Sequence, residues 1–88
     1  MSFLHTKEHL DRGDTVAVEC SHQVNVLVMT DNDFNNYKNN RGFNYHGGFF
    51  SQFPAHVTVP NTGSWNIVIA LPPGRQANIR HSISIIPA

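Results

Sequence analysis

The stretch from His56 to Leu71, His-Val-Thr-Val-Pro-Asn-Thr-Gly-Ser-Trp-Asn-Ile-Val-Ile-Ala-Leu, does most to limit what this chain can become. Val57 and Val59 alternate with Thr58, and Pro60 has no N–H to give a ladder, so a strand is expected to end there. Asn61 and Gly63 tolerate positive φ in a tight reversal. From Trp65 to Leu71 only Asn66 interrupts an apolar run that is too short and too β-branched for a buried helix. Such a run suits a strand covered on both faces. The expectation is a hairpin, with residues 57–59 folded back on a central strand at 65–71.

The rest of the chain reads as further strands around this pair. Residues 2–6 suit a short edge strand, with Phe3 and His5 on one side and Leu4 on the other. Residues 7–14 read as a polar connection ending in Arg12-Gly13-Asp14, a tripeptide that reads first as a turn entering a β-branched run and not as an adhesive motif. At 15–20, Val16, Val18 and Cys20 alternate inward against Thr15, Ala17 and Glu19, and a second strong strand follows at 24–29. Thr30 followed by Asp33 resembles a capping box, and Phe34 and Tyr37 share one face, which predicts a short helix near residues 31–38. The paired glycines Gly47 and Gly48, inside an aromatic strand-like run at 43–53, imply either a bulge or a close approach to the backbone. Pro72-Pro73-Gly74 is a stiff turn, and a last strand at 77–86 places Ile79, His81, Ile83 and Ile85 on its core face.

Seven or eight short strands with turn signals about every ten residues predict an all-β fold, a mostly antiparallel β-sandwich forming one domain over residues 1–88. The formal net charge is zero, so the chain exerts no long-range pull on phosphate, and neither nucleic acid nor an anionic membrane is an expected partner. All six acidic residues lie before residue 34, and the segment after it holds only basic ones, which is read as two halves meeting in the fold. The single cysteine, Cys20, excludes an internal disulfide and a Cys-x-x-Cys motif and is expected to be a buried, inert thiol. With no apolar run long enough for a membrane span and no charged-then-apolar leader, a cytoplasmic protein is expected.

In order along the chain, Asn25-Val26-Leu27-Val28-Met29, Asp33-Phe34 with Tyr37, and Val59-Pro60-Asn61-Thr62-Gly63-Ser64-Trp65-Asn66-Ile67-Val68-Ile69 are similar to a small bacterial family, domain of unknown function 1883. Phe3-Leu4-His5, Gly13-Asp14 and Tyr45-His46-Gly47-Gly48 extend the resemblance over nearly the whole chain. The middle and end also resemble GOLD-type β-sandwiches, which implies a protein-interaction or cargo-binding module. Relatives of the bacterial family are sometimes fused to TIR signalling domains, which implies a sensing or adaptor role.

The motifs for other chemistry fail on specific positions. His5-x-x-x-His9 could bring two imidazoles together, but His22, His46, His56 and His81 are scattered, so no metal site is expected. Asp31-Asn32-Asp33-Phe34-Asn35 begins like a calcium loop, yet Asn36 stands where the turn glycine belongs and Gly42 where a bidentate Glu belongs. There is no nucleophile elbow, Walker loop or dinucleotide fingerprint, and a Cys20–His pair would use a desolvated thiol. The chain is therefore read as no enzyme and as needing no cofactor. The best binding candidate is the aromatic and glycine-rich segment Tyr45, His46, Gly47, Gly48, Phe49 and Phe50, with Tyr37, Arg41 and Asn44 from the preceding segment, whose flat rings and hydrogen-bonding ends suit a protein surface, a small ligand or a glycan. The competing reading packs Tyr45, Phe49 and Phe53 into the sandwich and Trp65 beside its turn. The functional expectation is a non-catalytic recognition module, able to self-associate through a strand edge, with a carbohydrate-binding module as the alternative and a small histidine-dependent hydrolase behind it.

Overall fold

The computed structural model describes residues 3–71 and 79–88, so the expected turn at Pro72-Pro73-Gly74 and the expected start of the last strand fall outside the described residues. Seven strands and one helix follow in the order β1 (Phe3–Leu10), β2 (Thr15–Cys20), β3 (Val24–Met29), α1 (Asp31–Lys38), β4 (His46–Phe50), β5 (Ala55–Thr58), β6 (Gly63–Ala70) and β7 (His81–Ile86). They form two antiparallel sheets, one ordered β1-β6-β3-β4 and the other β5-β2-β7. The mostly antiparallel all-β fold with a short helix between the third and fourth strands is as the alternation predicts. No helix among the described residues is long and apolar enough to cross a membrane.

The core between the sheets takes the inward alternate residues of each strand. Val16 and Val18 of β2, Val24, Val26 and Val28 of β3, Val57 of β5, and Ile67 and Ile69 of β6 meet there. The opposite face of β3 and β6, with Leu27, Met29, Val68 and Ala70, is covered by Phe34 and Tyr37 of α1 together with Phe3 and Phe43. β6 is thus covered on both sides, which is why its sequence runs on without polar alternation. Burying each such Ile or Val contributes about 1.5–3 kcal/mol. α1 starts where Thr30 Oγ1 accepts the Asp33 N–H at 3.3 Å and donates to Asp33 Oδ2 at 3.0 Å, so Asp serves in the slot usually held by Glu.

Several expectations are corrected. Residues 57–59 and 65–71 do not form a hairpin. β5 pairs with β2 in one sheet and β6 lies between β1 and β3 in the other, so Pro60, Asn61 and Thr62 carry the chain across the core. Alternation specifies which residues face inward, and both arrangements satisfy it. Trp65 does pack beside this crossing, its Nε1–H donating to the Asn61 carbonyl at 2.9 Å. β1 runs on to Leu10, paired with β6 from Phe3↔Ala70 to Leu10↔Gly63, where residues 7–10 had the look of a loop. Lys7, Glu8 and His9 are acceptable in an edge strand because one side of it meets solvent.

Gly47 and Gly48 make no bulge, since β4 pairs residue for residue with β3 from Val24↔Phe50 to Val28↔His46. The second alternative holds. Both glycines have positive φ, and a side chain on Gly47 would run into the Val26 carbonyl oxygen. Cys20 is half-buried at the end of β2, not fully enclosed, and Ala17 is buried although it faces outward. Gly13 has φ +89, and Asp14 joins its own turn through the Asp11 N–H at 2.8 Å and receives the Ala88 N–H at 3.0 Å, so Arg12-Gly13-Asp14 is a turn.

Candidate functional site

β4 is the outer strand of its sheet, and alternation divides its side chains between two faces. Gly47, opposite Leu27 at positive φ, would aim a side chain back at the Val26 carbonyl and the core, while Phe49 stands opposite Asn25, whose other neighbour Ala70 lies on the face that also carries α1. Tyr45, two residues before Gly47, is on this side, its ring 5.6 Å from that of Phe43. Phe43 in turn meets Tyr37 edge-on at 5.1 Å, and Tyr37 and Phe34 stack at 6.4 Å under the helix. A continuous line of rings therefore runs from the buried helix face out to Tyr45, which is 48% exposed. Phe49 is 54% exposed beyond it. An exposed Phe and an exposed Tyr on one face of an outer strand leave an apolar rim in water.

The predicted site residues divide accordingly. Tyr37 is buried within the line of rings, where desolvation raises its pKa. Arg41 and Asn44 are exposed in the segment leading into β4, with the Asn44 N–H donating to Asp33 Oδ1 at 3.1 Å. His46 points to the other face, its ring 5.8 Å from the ring of Trp65. Gly47 and Gly48 form the strand between them. The structure thus joins Tyr37, Tyr45 and the glycines, and separates His46 from Tyr45. Phe49, from the candidate aromatic and glycine-rich segment, and Phe43, absent from the predicted set, complete the rim. The alternation Tyr45-x-Gly47-x-Phe49 signals a shared face, but nothing in it says that α1 stops short of covering that face. The reading that packs Tyr45 and Phe49 into the sandwich is corrected by their exposure, while Phe53 does pack against the core.

A second polar centre lies where α1 begins. Asn66, 2% exposed, is the only buried polar residue among those described, and its side chain is fully engaged. Nδ2 donates to Asp31 Oδ1 at 2.8 Å and to the Met29 carbonyl at 3.4 Å. Oδ1 is left as acceptor for His5 Nε2 at 2.8 Å, which places the imidazole proton on Nε2. The His5 ring lies flat on Phe34 at 4.0 Å, and Lys7 Nζ stands 3.2 Å from Asp31 Oδ1. The Asn66 hydrogen bond, followed by that of Lys7, holds the Asp31 carboxyl below its ordinary pKa. The centre ties β1, β6 and α1 together, so its chemistry is spent on structure.

His5 and His9 share one face of β1, but His5 is committed to Asn66 and His9 Nε2 lies 4.0 Å from Asp11 Oδ1. Among the described residues no three of His, Cys, Asp and Glu converge as metal ligands would. Cys20 stands opposite His81 in the β2–β7 register, and His81 is exposed rather than held at the core edge. A family model described as "Domain of unknown function (DUF1883)" matches residues 1–88. No curated protein and no solved structure matches the chain.

Proposed function

From the premise that the chain belongs to the family described as Domain of unknown function (DUF1883), we propose that it is a non-catalytic recognition module that binds a protein partner across the outer rim of β4. The observation that carries this is the exposure of Tyr45 and Phe49 on one face of a strand with an unpaired edge. Each half-exposed ring offers roughly 100 Å² of removable surface, so covering both contributes about 5 kcal/mol before the costs of association. The line of rings behind Tyr45 holds it in place, so little side-chain freedom is lost on binding. The separation of His46 from Tyr45 favours a partner that spreads over the face over a small ligand or glycan, which needs convergent polar groups. The resemblance of the middle and end of the chain to GOLD-type sandwiches supports a protein-interaction class, and the TIR fusions of relatives in the family support a sensing or adaptor role.

The test is site-specific photo-crosslinking in the native host from position 49 and, as control, from Glu19 on the outer face of the other sheet. A discrete protein adduct from position 49 that disappears in a Tyr45→Ser background is the expected result. Adducts from position 19 alone, or adducts from position 49 that are indifferent to Tyr45, would dismiss the rim as the binding surface.

A further inference from the structure

The two flanks of the sandwich differ. At the β4/β5 flank the sheets close tightly, so that a methyl group on Gly47 would stand 3.5 Å from Val57 Cγ2. At the opposite flank, where β1 and β7 are the outer strands, a groove of about 360 Å³ opens between Thr6 and Glu8 on one wall and His81, Ser82, Ile83, Ser84 and Ile85 on the other. The make-up of the walls indicates what fits. Thr6 and Glu8 are alternate residues of β1, opposite Ile67 and Trp65, so they belong to the core-facing side of their sheet. The β7 wall is five consecutive residues, whose side chains alternate between the two faces of that strand. A wall that takes every residue of a strand is the strand's edge, where alternate backbone N–H and C=O groups have no ladder partner among the described residues.

We propose that this groove receives an extended peptide segment of a partner protein, added as an antiparallel strand to the free edge of β7 and lying under β1. The charge and apolar content of the walls define the peptide. Ile83 and Ile85 are half-buried at the core side of β7, and Leu4, two residues before Thr6 on the same face of β1, is 39% exposed. An added strand turns alternate side chains toward these residues, and two apolar ones complete their cover. Glu8 is exposed and, among the described residues, forms no ion pair. A Lys or Arg on the same face of the peptide as the apolar residues would meet it. Backbone pairing supplies affinity, while the basic residue and its apolar neighbours supply register. This site is separate from the β4 rim and stands or falls without it.

The probes are fluorescein-labelled octapeptides of alternating Thr, carrying one Lys and two Ile on the other face, and their counterparts with Glu in place of Lys. Anisotropy titrations should show the Lys peptide preferred, the preference reduced about three-fold by Glu8→Gln, and reversed by Glu8→Lys. Glu8 is exposed, so both variants retain the fold. Amide exchange of the complex read by NMR should slow at alternate residues of β7 and leave β4 unchanged. The proposal is overturned if neither peptide binds, if Glu8→Lys leaves the preference unaltered, or if protection appears at β4. It is overturned equally if sedimentation shows a dimer that already protects β7, since a second copy would then be the occupant.

Discussion

Replacing Gly47 with Ala tests the reasoning about β4 most sharply. Its φ of +114 is one that an L-residue enters at a cost of about 1–2 kcal/mol. The added methyl would collide with the Val26 carbonyl oxygen and stand 3.2 Å from the carbonyl carbon, and these are backbone atoms that cannot turn aside. Relief requires the β3–β4 ladder to open at this pair, with the loss of at least one hydrogen bond, about 1 kcal/mol, and of packing around it. The sum is about 3–4 kcal/mol, against a total stability of about 4–13 kcal/mol for a chain of this length. Gly48→Ala is the control. Its φ is +147 but no atom lies within 4 Å of the added carbon, so only the backbone term of about 1–2 kcal/mol applies. With a urea m-value of about 1–1.5 kcal/mol/M, Gly47→Ala should lower the midpoint by about 2–4 M and Gly48→Ala by about 1–2 M. Equal shifts for the two variants, measured by Trp65 fluorescence and far-UV circular dichroism, would refute the argument from close approach.

Thr30→Ala removes the side-chain acceptor that satisfies the Asp33 N–H and should cost about 1 kcal/mol in urea unfolding. Asn66→Ala strips partners from His5, the Met29 carbonyl and Asp31 at once and should cost about 2–3 kcal/mol, and in the intact protein nitrogen-15 NMR of His5 should show the proton on Nε2. Because the Asp31 pKa is depressed in the folded state, its stabilising effect is present above the ordinary carboxylate range and is lost as pH falls through that range. Stability measured between about pH 5 and 3 should therefore fall more steeply for the wild type than for Asp31→Asn.

How far these features are legible in the sequence depends on whether their signal is local. The bounds of β2, β3 and α1 follow from alternation and from a cap four residues long, and the structure has them where the sequence places them. The central position of β6 is equally plain, because only a strand covered twice dispenses with polar alternation. Which strands become neighbours is a different matter. Val57 and Ile67 face the same core from opposite sheets, and that pattern is identical for a hairpin and for a crossing. Lys7, Glu8 and His9 hid the second half of β1 because polarity marks an edge as readily as a loop. At the candidate site, the rings of Tyr37 and Tyr45 were identifiable by type and the alternation of β4 already sets His46 on the other face from Tyr45, but the exposure of Phe49 depends on where a helix ends, which no spacing in β4 encodes.

The crossing at residues 59–62 bears on how the protein is made. Phe3 takes its place beside Ala70, and Thr15 waits for Thr58 on one side and Ile86 on the other. On the ribosome, the first two strands have no neighbour to pair with until most of the chain has emerged, and only β3 and β4 can associate early. Folding of such a chain is slow for its length and leaves Val16, Val18 and their neighbours open to the wrong company in the interval.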